Sequence, residues 1–169
     1  MDATAPLTKA KYPRSLIAGP YGHPFHAIAI ILPIGAWVSA SVFDVLFLAA
    51  DDGSAFALGA RILVAVGLLG AVVAAILGLI DWSSIPKGTA ARATGSTHMV
   101  LNFIAMAIYT GSLVLRLDTD VVPTLAMIAS FVGLALLSVS GWLGGKLAHT
   151  YGVRVATETT QAEGLEPLP

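Results

Sequence analysis

The chain contains no cysteine. That excludes a disulfide framework, an iron–sulfur cluster and any thiolate metal site, and it removes the clue to redox compartment that cysteine usage gives. Charge is nearly as scarce. Asp, Glu, Lys and Arg make up 11% of the 169 residues, and a net charge of −1 gives no basis for binding nucleic acid. No phosphate-binding glycine loop, H-E-x-x-H or G-x-S-x-G motif occurs. A nucleotide enzyme or a hydrolase of soluble type is therefore not expected, and an enzyme of any kind is the less favoured reading. The first 26 residues also lack an apolar core of the signal-peptide type and are broken by Pro6, Pro13, Gly19, Pro20 and Gly22. The first apolar segment thus reads as an uncleaved signal anchor.

What remains is strongly hydrophobic. Apolar residues make up 56% of the chain and the mean hydropathy is +0.83. Four apolar runs, 27–50, 62–80, 99–115 and 121–143, contain a single charge, Asp44. Each is about long enough to cross a bilayer as a helix, which satisfies its own backbone polar groups in lipid. These runs predict an all-α integral membrane protein, a bundle of four transmembrane helices over about 26–50, 61–82, 98–116 and 122–147. They form one membrane domain, 23–155, after an extended segment 1–22 and before a disordered acidic tail, 156–169. Ser83 to Thr97 would be the longest connection.

Basic residues set the orientation. Lys9, Lys11, Arg14, Lys87, Arg92, Lys146 and Arg154 fall on one side and only Arg61 and Arg116 on the other. The positive-inside rule then places both termini in the cytoplasm. The N-terminal cations there face anionic headgroups.

Two polar spacings repeat. His26 precedes Asp44 by eighteen residues, as His98 precedes Arg116. Eighteen residues are five helical turns, ~27 Å at ~1.5 Å per residue. Each pair therefore lies on one face, and such faces turn toward the bundle interior. The third helix carries His98, Asn102, Tyr109, Ser112 and Arg116 within ~40° of one line. The first carries His26, Pro33, Trp37 and Asp44, with Pro33 expected to kink the helix by freeing the Ala29 carbonyl. The two helices run parallel, which brings His26 near His98 and predicts a structural Asp44–Arg116 ion pair, with Arg61 as the competing cation. Gly67, Ala71, Ala74 and Gly78 on the second helix, and Ser130, Gly133, Ser140 and Gly144 on the fourth, form small-residue packing faces.

All four histidines, His23, His26, His98 and His149, fall at the cytoplasmic level, and Asp81 ends the second helix there. His23, His26, Asp81 and His98 make an all-N/O set suited to zinc, iron, copper or nickel. His26 and His98 alone suit haem b held between facing helices. The plain alternative is interfacial, hydrogen-bonded histidines. His149 is the poorest candidate, since on a continued fourth helix it points away from the glycine face. Trp82 and Trp142 read as interfacial belt residues and Trp37 as core.

Several strings, in order, carry a family resemblance. They are Gly22-His23-Pro24-Phe25-His26, Leu32-Pro33-Ile34-Gly35 leading to Asp44, Gly78-Leu79-Ile80-Asp81-Trp82, Ile85-Pro86-Lys87-Gly88, His98 with Asn102, and Gly141-Trp142-Leu143-Gly144-Gly145. Over roughly residues 20–155 the chain resembles an uncharacterised bacterial family of small four-helix plasma-membrane proteins, catalogued as domain of unknown function 2231. Some of its members are fused to or neighbour redox domains. The resemblance implies the bacterial inner membrane, a redox or cofactor setting, and functional roles for His23, His26, Asp81 and His98. One departure is local: His149 and Tyr151 stand in swapped order relative to the family's tyrosine followed by histidine before Gly152.

The function expected from this reading is a membrane-embedded haem- or metal-binding redox accessory subunit. Its partners would be the lipid bilayer, other membrane or redox subunits, or a second copy of itself. The alternatives are a non-catalytic scaffold or assembly subunit, and a small proton or ion path along the third-helix stripe.

Overall fold

The computed structural model describes residues 10–12, 15–19, 23–163 and 165. Lys9 and Arg14, most of the segment expected to be extended, and the last residues of the tail lie outside the described set. The chain is all-helical, with no strand among the described residues. Four helices of 25, 31, 26 and 27 residues are long and apolar enough to cross a membrane.

Helix α1 has two segments, Phe25–Ala29 and Ile31–Ala49. The break falls where Pro33 requires it. Proline has no N–H to give the Ala29 carbonyl, and the chain steps at Ile30, which bonds to His26 O at 3.1 Å and receives the Ile34 N–H at 3.2 Å.

Helix α2, Ser54–Ser84, begins seven residues before the expected position 61. A charge does not end a helix whose flanks carry alanine and leucine. Arg61 stays within α2 and donates to the carbonyls of Arg116 and Leu117 at 3.3 and 2.9 Å, capping the neighbouring helix. Helix α3, Ala90–Leu115, begins eight residues before the expected position 98. The Thr89 hydroxyl accepts the Arg92 N–H at 3.1 Å as an N-cap. Arg92 in turn donates to the carbonyls of Trp82 and Ile85 at the end of α2, at 2.6 and 3.1 Å. Its guanidinium lies 3.3 Å from the Trp82 ring centre. The inner connection, expected to be the longest, shrinks to residues 85–89.

Helix α4, Thr124–Gly145, widens into a π-turn at Lys146–Thr150. The tail expected to lack order carries a short helix α5, Glu158–Glu163. The Thr157 hydroxyl accepts the Thr160 N–H at its start, and Lys11 holds the Ala156 carbonyl at 3.0 Å just before it. The N-terminal segment is not simply extended either. Leu16–Ala18 form a 3₁₀ turn, and Ala10, Lys11 and Ala18 are buried.

The helices alternate in direction, α1 packing chiefly on α2 and α3 on α4. Burial is inside-out relative to a soluble protein. Among the described residues the buried set holds alanines, serines, Trp37, Tyr109, Asp44 and Arg116, but no leucine, while Leu48, Leu69, Ile76, Val114, Leu125 and Val139 point outward. This is the arrangement lipid selects: small and polar groups inside, large aliphatic ones facing the acyl chains.

Candidate functional site

His26 and His98 meet on the bundle axis. Their ring centroids are 6.4 Å apart and their planes nearly perpendicular, at 88°. Each ring is anchored in the same way. His26 Nδ1 lies 2.8 Å from the Ala74 carbonyl of α2, and His98 Nδ1 lies 2.8 Å from the Ser140 carbonyl of α4. A carbonyl only accepts, so each contact calls for a proton on Nδ1, which in the neutral ring leaves Nε2 as the acceptor nitrogen; at His98 that acceptor faces the Asn102 amide. Glycine makes room for each ring. A Cβ at Gly78 would lie 2.9 Å from His26 Cε1, and one at Gly144 would lie 3.3 Å from His98 Cε1.

The same construction recurs one layer along the axis. Trp37 and Tyr109 stack at 4.0 Å with planes 6° apart. Trp37 donates to Val64 O at 3.3 Å and Tyr109 to Ser130 O at 3.0 Å. Gly67 underlies Trp37, and Gly133 underlies Tyr109. The third layer is the ion pair. Arg116 Nη1 and Nη2 donate to Asp44 Oδ1 and Oδ2 at 2.6 and 2.8 Å, with both side chains fully buried. Ser112 and Ser130 supply acceptors for the remaining guanidinium edge.

These correspondences have fixed offsets. His98, Tyr109 and Arg116 stand 72 positions after His26, Trp37 and Asp44. Ser130, Gly133, Ser140 and Gly144 stand 66 after Val64, Gly67, Ala74 and Gly78. Hairpins α1–α2 and α3–α4 are therefore structural repeats. Equivalent helices run in the same direction, so an approximate twofold axis runs along the bundle, as in parallel-repeat membrane folds. The axis passes between the two histidines. Symmetry breaks at Asn102, which stands opposite Ile30. Its amide donates to the carbonyl of His98 at 2.8 Å and to Ser140 Oγ at 2.7 Å, and lies 3.2 Å from His98 Nε2.

A cavity of about 380 Å³ surrounds the histidine layer. Both repeats line it, with Ile34 and Met106, and Ala75 and Gly141, in equivalent places. A Cβ added at Gly141 or Gly145 would meet nothing within 4 Å. Toward the bundle middle the cavity lining reaches Trp37 and Met106. At the end of the bundle that carries both termini, the cavity reaches Asp81 and Arg154. Arg154 is the one non-glycine residue with positive φ among those described, at 60°, and it is 8% exposed. Its guanidinium donates to Ala18 O at 2.9 Å, His23 O at 3.1 Å and Lys11 O at 3.5 Å, and its Nε stands 3.0 Å from Asp81 Oδ1.

Of the residues singled out in the sequence, the structure brings together His26 with His98 and Asp44 with Arg116. It turns Asp81 toward Arg154, leaves the His23 ring exposed while using its carbonyl, and leaves His149 exposed in the π-turn. Among the described residues no three His, Asp or Glu side chains gather as metal ligands. The set His23, His26, Asp81 and His98 is therefore not assembled as one cluster: Asp81 stands beside Arg154 and His23 is exposed. The sequence reading missed Arg154, counted only as a positive charge, and the anchoring role of Ala74, Gly78, Ser140 and Gly144. The paired offsets of 72 and 66 were the available signal.

The family described as a predicted membrane protein, DUF2231, matches residues 22–157. No curated protein matches the chain, and no solved structure does.

Proposed function

The chain belongs to the DUF2231 family of predicted membrane proteins, and we propose that it holds one haem b between His26 and His98 and serves as an electron-carrying accessory subunit of a membrane redox complex. The histidine pair carries this reading. Two imidazoles bound to one metal at roughly 2.0 Å per metal–nitrogen bond set their ring centroids roughly 6 Å apart. The observed separation of 6.4 Å fits.

The donor set selects among cofactors. A tetrahedral zinc or copper site needs three or four protein ligands, and no such trio occurs among the described residues. Haem would need only two side-chain ligands from the protein, and His26 and His98 would hold it. Each histidine also has the Nδ1–carbonyl bond that fixes ring orientation and raises ligand basicity. Ala74 and Ser140 provide it here. Trp37, Met106 and Leu137 give the cavity an apolar lining beside the histidines. When bound, haem would supply a one-electron Fe(III)/Fe(II) couple. The excess of Lys and Arg at the histidine end supports a cytoplasmic side for that end and both termini, in a bacterial plasma membrane.

The test is the absorption spectrum of detergent-purified protein expressed with haem precursor. A Soret band at one haem per chain, lost in His26→Ala and in His98→Ala with helicity retained, is the expected result. Colourless wild-type protein that also fails to bind added haemin contradicts the proposal. A structural assembly role is the second reading. It is favoured by the way His98, Asn102, Tyr109 and Ser112 all spend hydrogen bonds on α4.

A further inference from the structure

We propose that Arg154 is the carboxylate subsite of the cavity, taking a propionate of the bound haem, with Asp81 as the competitor that sets its strength. This rests on the haem reading. A guanidinium has five N–H donors. Arg154 directs its Nη atoms at the carbonyls of Lys11, Ala18 and His23. Its Nε stands 3.0 Å from Asp81 Oδ1, yet both atoms are buried and neither makes a hydrogen bond. A buried cation with an unused N–H calls for an oxyanion placed better than the one beside it.

Position supports the assignment. Asp81 follows Gly78, on which the His26 ring packs, by three residues, ~4.5 Å along a helix at ~1.5 Å per residue. The His23 carbonyl held by Arg154 precedes His26 by the same three residues. The guanidinium therefore lies about one helical turn beyond the histidine layer, at the terminal end of the same cavity. A propionate of a haem held by His26 and His98 would meet Arg154 at that end.

The backbone fits a fixed anion hook. Arg154 adopts φ 60°, a conformation that strains a non-glycine residue and that clusters at binding sites. It is locked there by its N–H bond to Ala10 O at 3.1 Å. A purely structural staple for the N-terminal segment would also explain the three carbonyl contacts. It would not respond to the ester state of a ligand, which gives the discriminating test.

The full-length chain in detergent is titrated with haemin and with haemin dimethyl ester, whose propionates are blocked. Wild type is expected to prefer the free acid at least tenfold. Arg154→Gln brings the two within about twofold, Arg154→Lys keeps part of the preference, and Asp81→Asn tightens haemin binding without changing the ester. Equal wild-type affinity for acid and ester, or a preference that survives Arg154→Gln, overturns the subsite while leaving the haem reading intact. If Arg154→Gln does not fold, the wild-type preference and the Asp81→Asn response decide. No Soret band with either compound overturns the haem reading itself. An oleate arm separates the other carboxylate source: oleate that raises the melting temperature of wild type but not of Arg154→Gln, with no haemin binding, assigns Arg154 to a lipid and contradicts the propionate.

Discussion

Asp44 and Arg116 are a carboxylate and a guanidinium with 0% and 2% side-chain exposure, so each depends on the other for solvation. Removing one partner strands a buried charge, which costs roughly 3–5 kcal/mol, whereas replacing both with apolar side chains of similar volume is close to neutral. Arg116→Met and Asp44→Leu are each expected to lower the melting temperature in detergent sharply, and the double variant to recover most of the loss. Additive losses would show that the pair is not the stabilising unit. The glycines make a second, graded prediction. A Cβ at Gly67 would overlap Trp37 Nε1, and one at Gly133 would stand 2.5 Å from Tyr109 Cε2. Alanine at either is expected to cost about 1–3 kcal/mol by overpacking. Gly111→Ala meets open space and gains about 0.5–1 kcal/mol from helix propensity. Both axial pairs were legible in the sequence because eighteen-residue spacings on parallel helices fix depth and face. Arg154 was not. Its burial depends on residues 10–19 folding back over the bundle end, a long-range event with no local signature.

Helix ends show where local reading stopped short. The apolar runs located all four helices, but their ends were drawn at charges and polar clusters, and two of those charges are capping devices. Arg61 and Arg92 lie inside helices and reach the last carbonyls of a neighbour, an interaction visible only once the hairpins are paired. Thr89 marks the true start of α3. Thr89→Ala is expected to destabilise by about 1 kcal/mol, read as a lower melting temperature, while Thr97→Ala is expected to change little. At the start of α2, Asp52 accepts the Ser54 N–H at 3.0 Å. That backbone bond, with a second from the Ser54 side chain, holds the carboxyl below its ordinary value of 3.8. A depressed acid stabilises the fold above its unfolded value and loses that contribution as pH falls through the folded value. The difference in melting temperature between wild type and Asp52→Asn should thus be present near neutrality and vanish on acidification. A difference that grows as pH falls would contradict a stabilising role for the Asp52–Ser54 bond.

At the scale of the molecule, the chain is two α-hairpins related by an axis on which three unlike pairs sit: histidines, stacked aromatics and an ion pair. The histidine and ionic layers were readable as repeated spacings. The aromatic layer and the four glycines beneath the rings were read only as packing, because the repeat of α2 in α4 has its own offset. Orientation has a direct test, since a cysteine-free chain is a ready background for single-cysteine labelling. An impermeant maleimide applied to whole cells is expected to label Asp118→Cys and to spare Lys87→Cys; the reverse pattern overturns the assignment of both termini to the cytoplasm. The central claim, one haem held by His26 and His98, is tested most directly by electron paramagnetic resonance of the ferric protein. Near-perpendicular imidazoles, 88° in the structure, predict a low-spin and strongly anisotropic signal that disappears in either histidine variant. A high-spin signal, or a low-spin one that survives His26→Ala or His98→Ala, would contradict it.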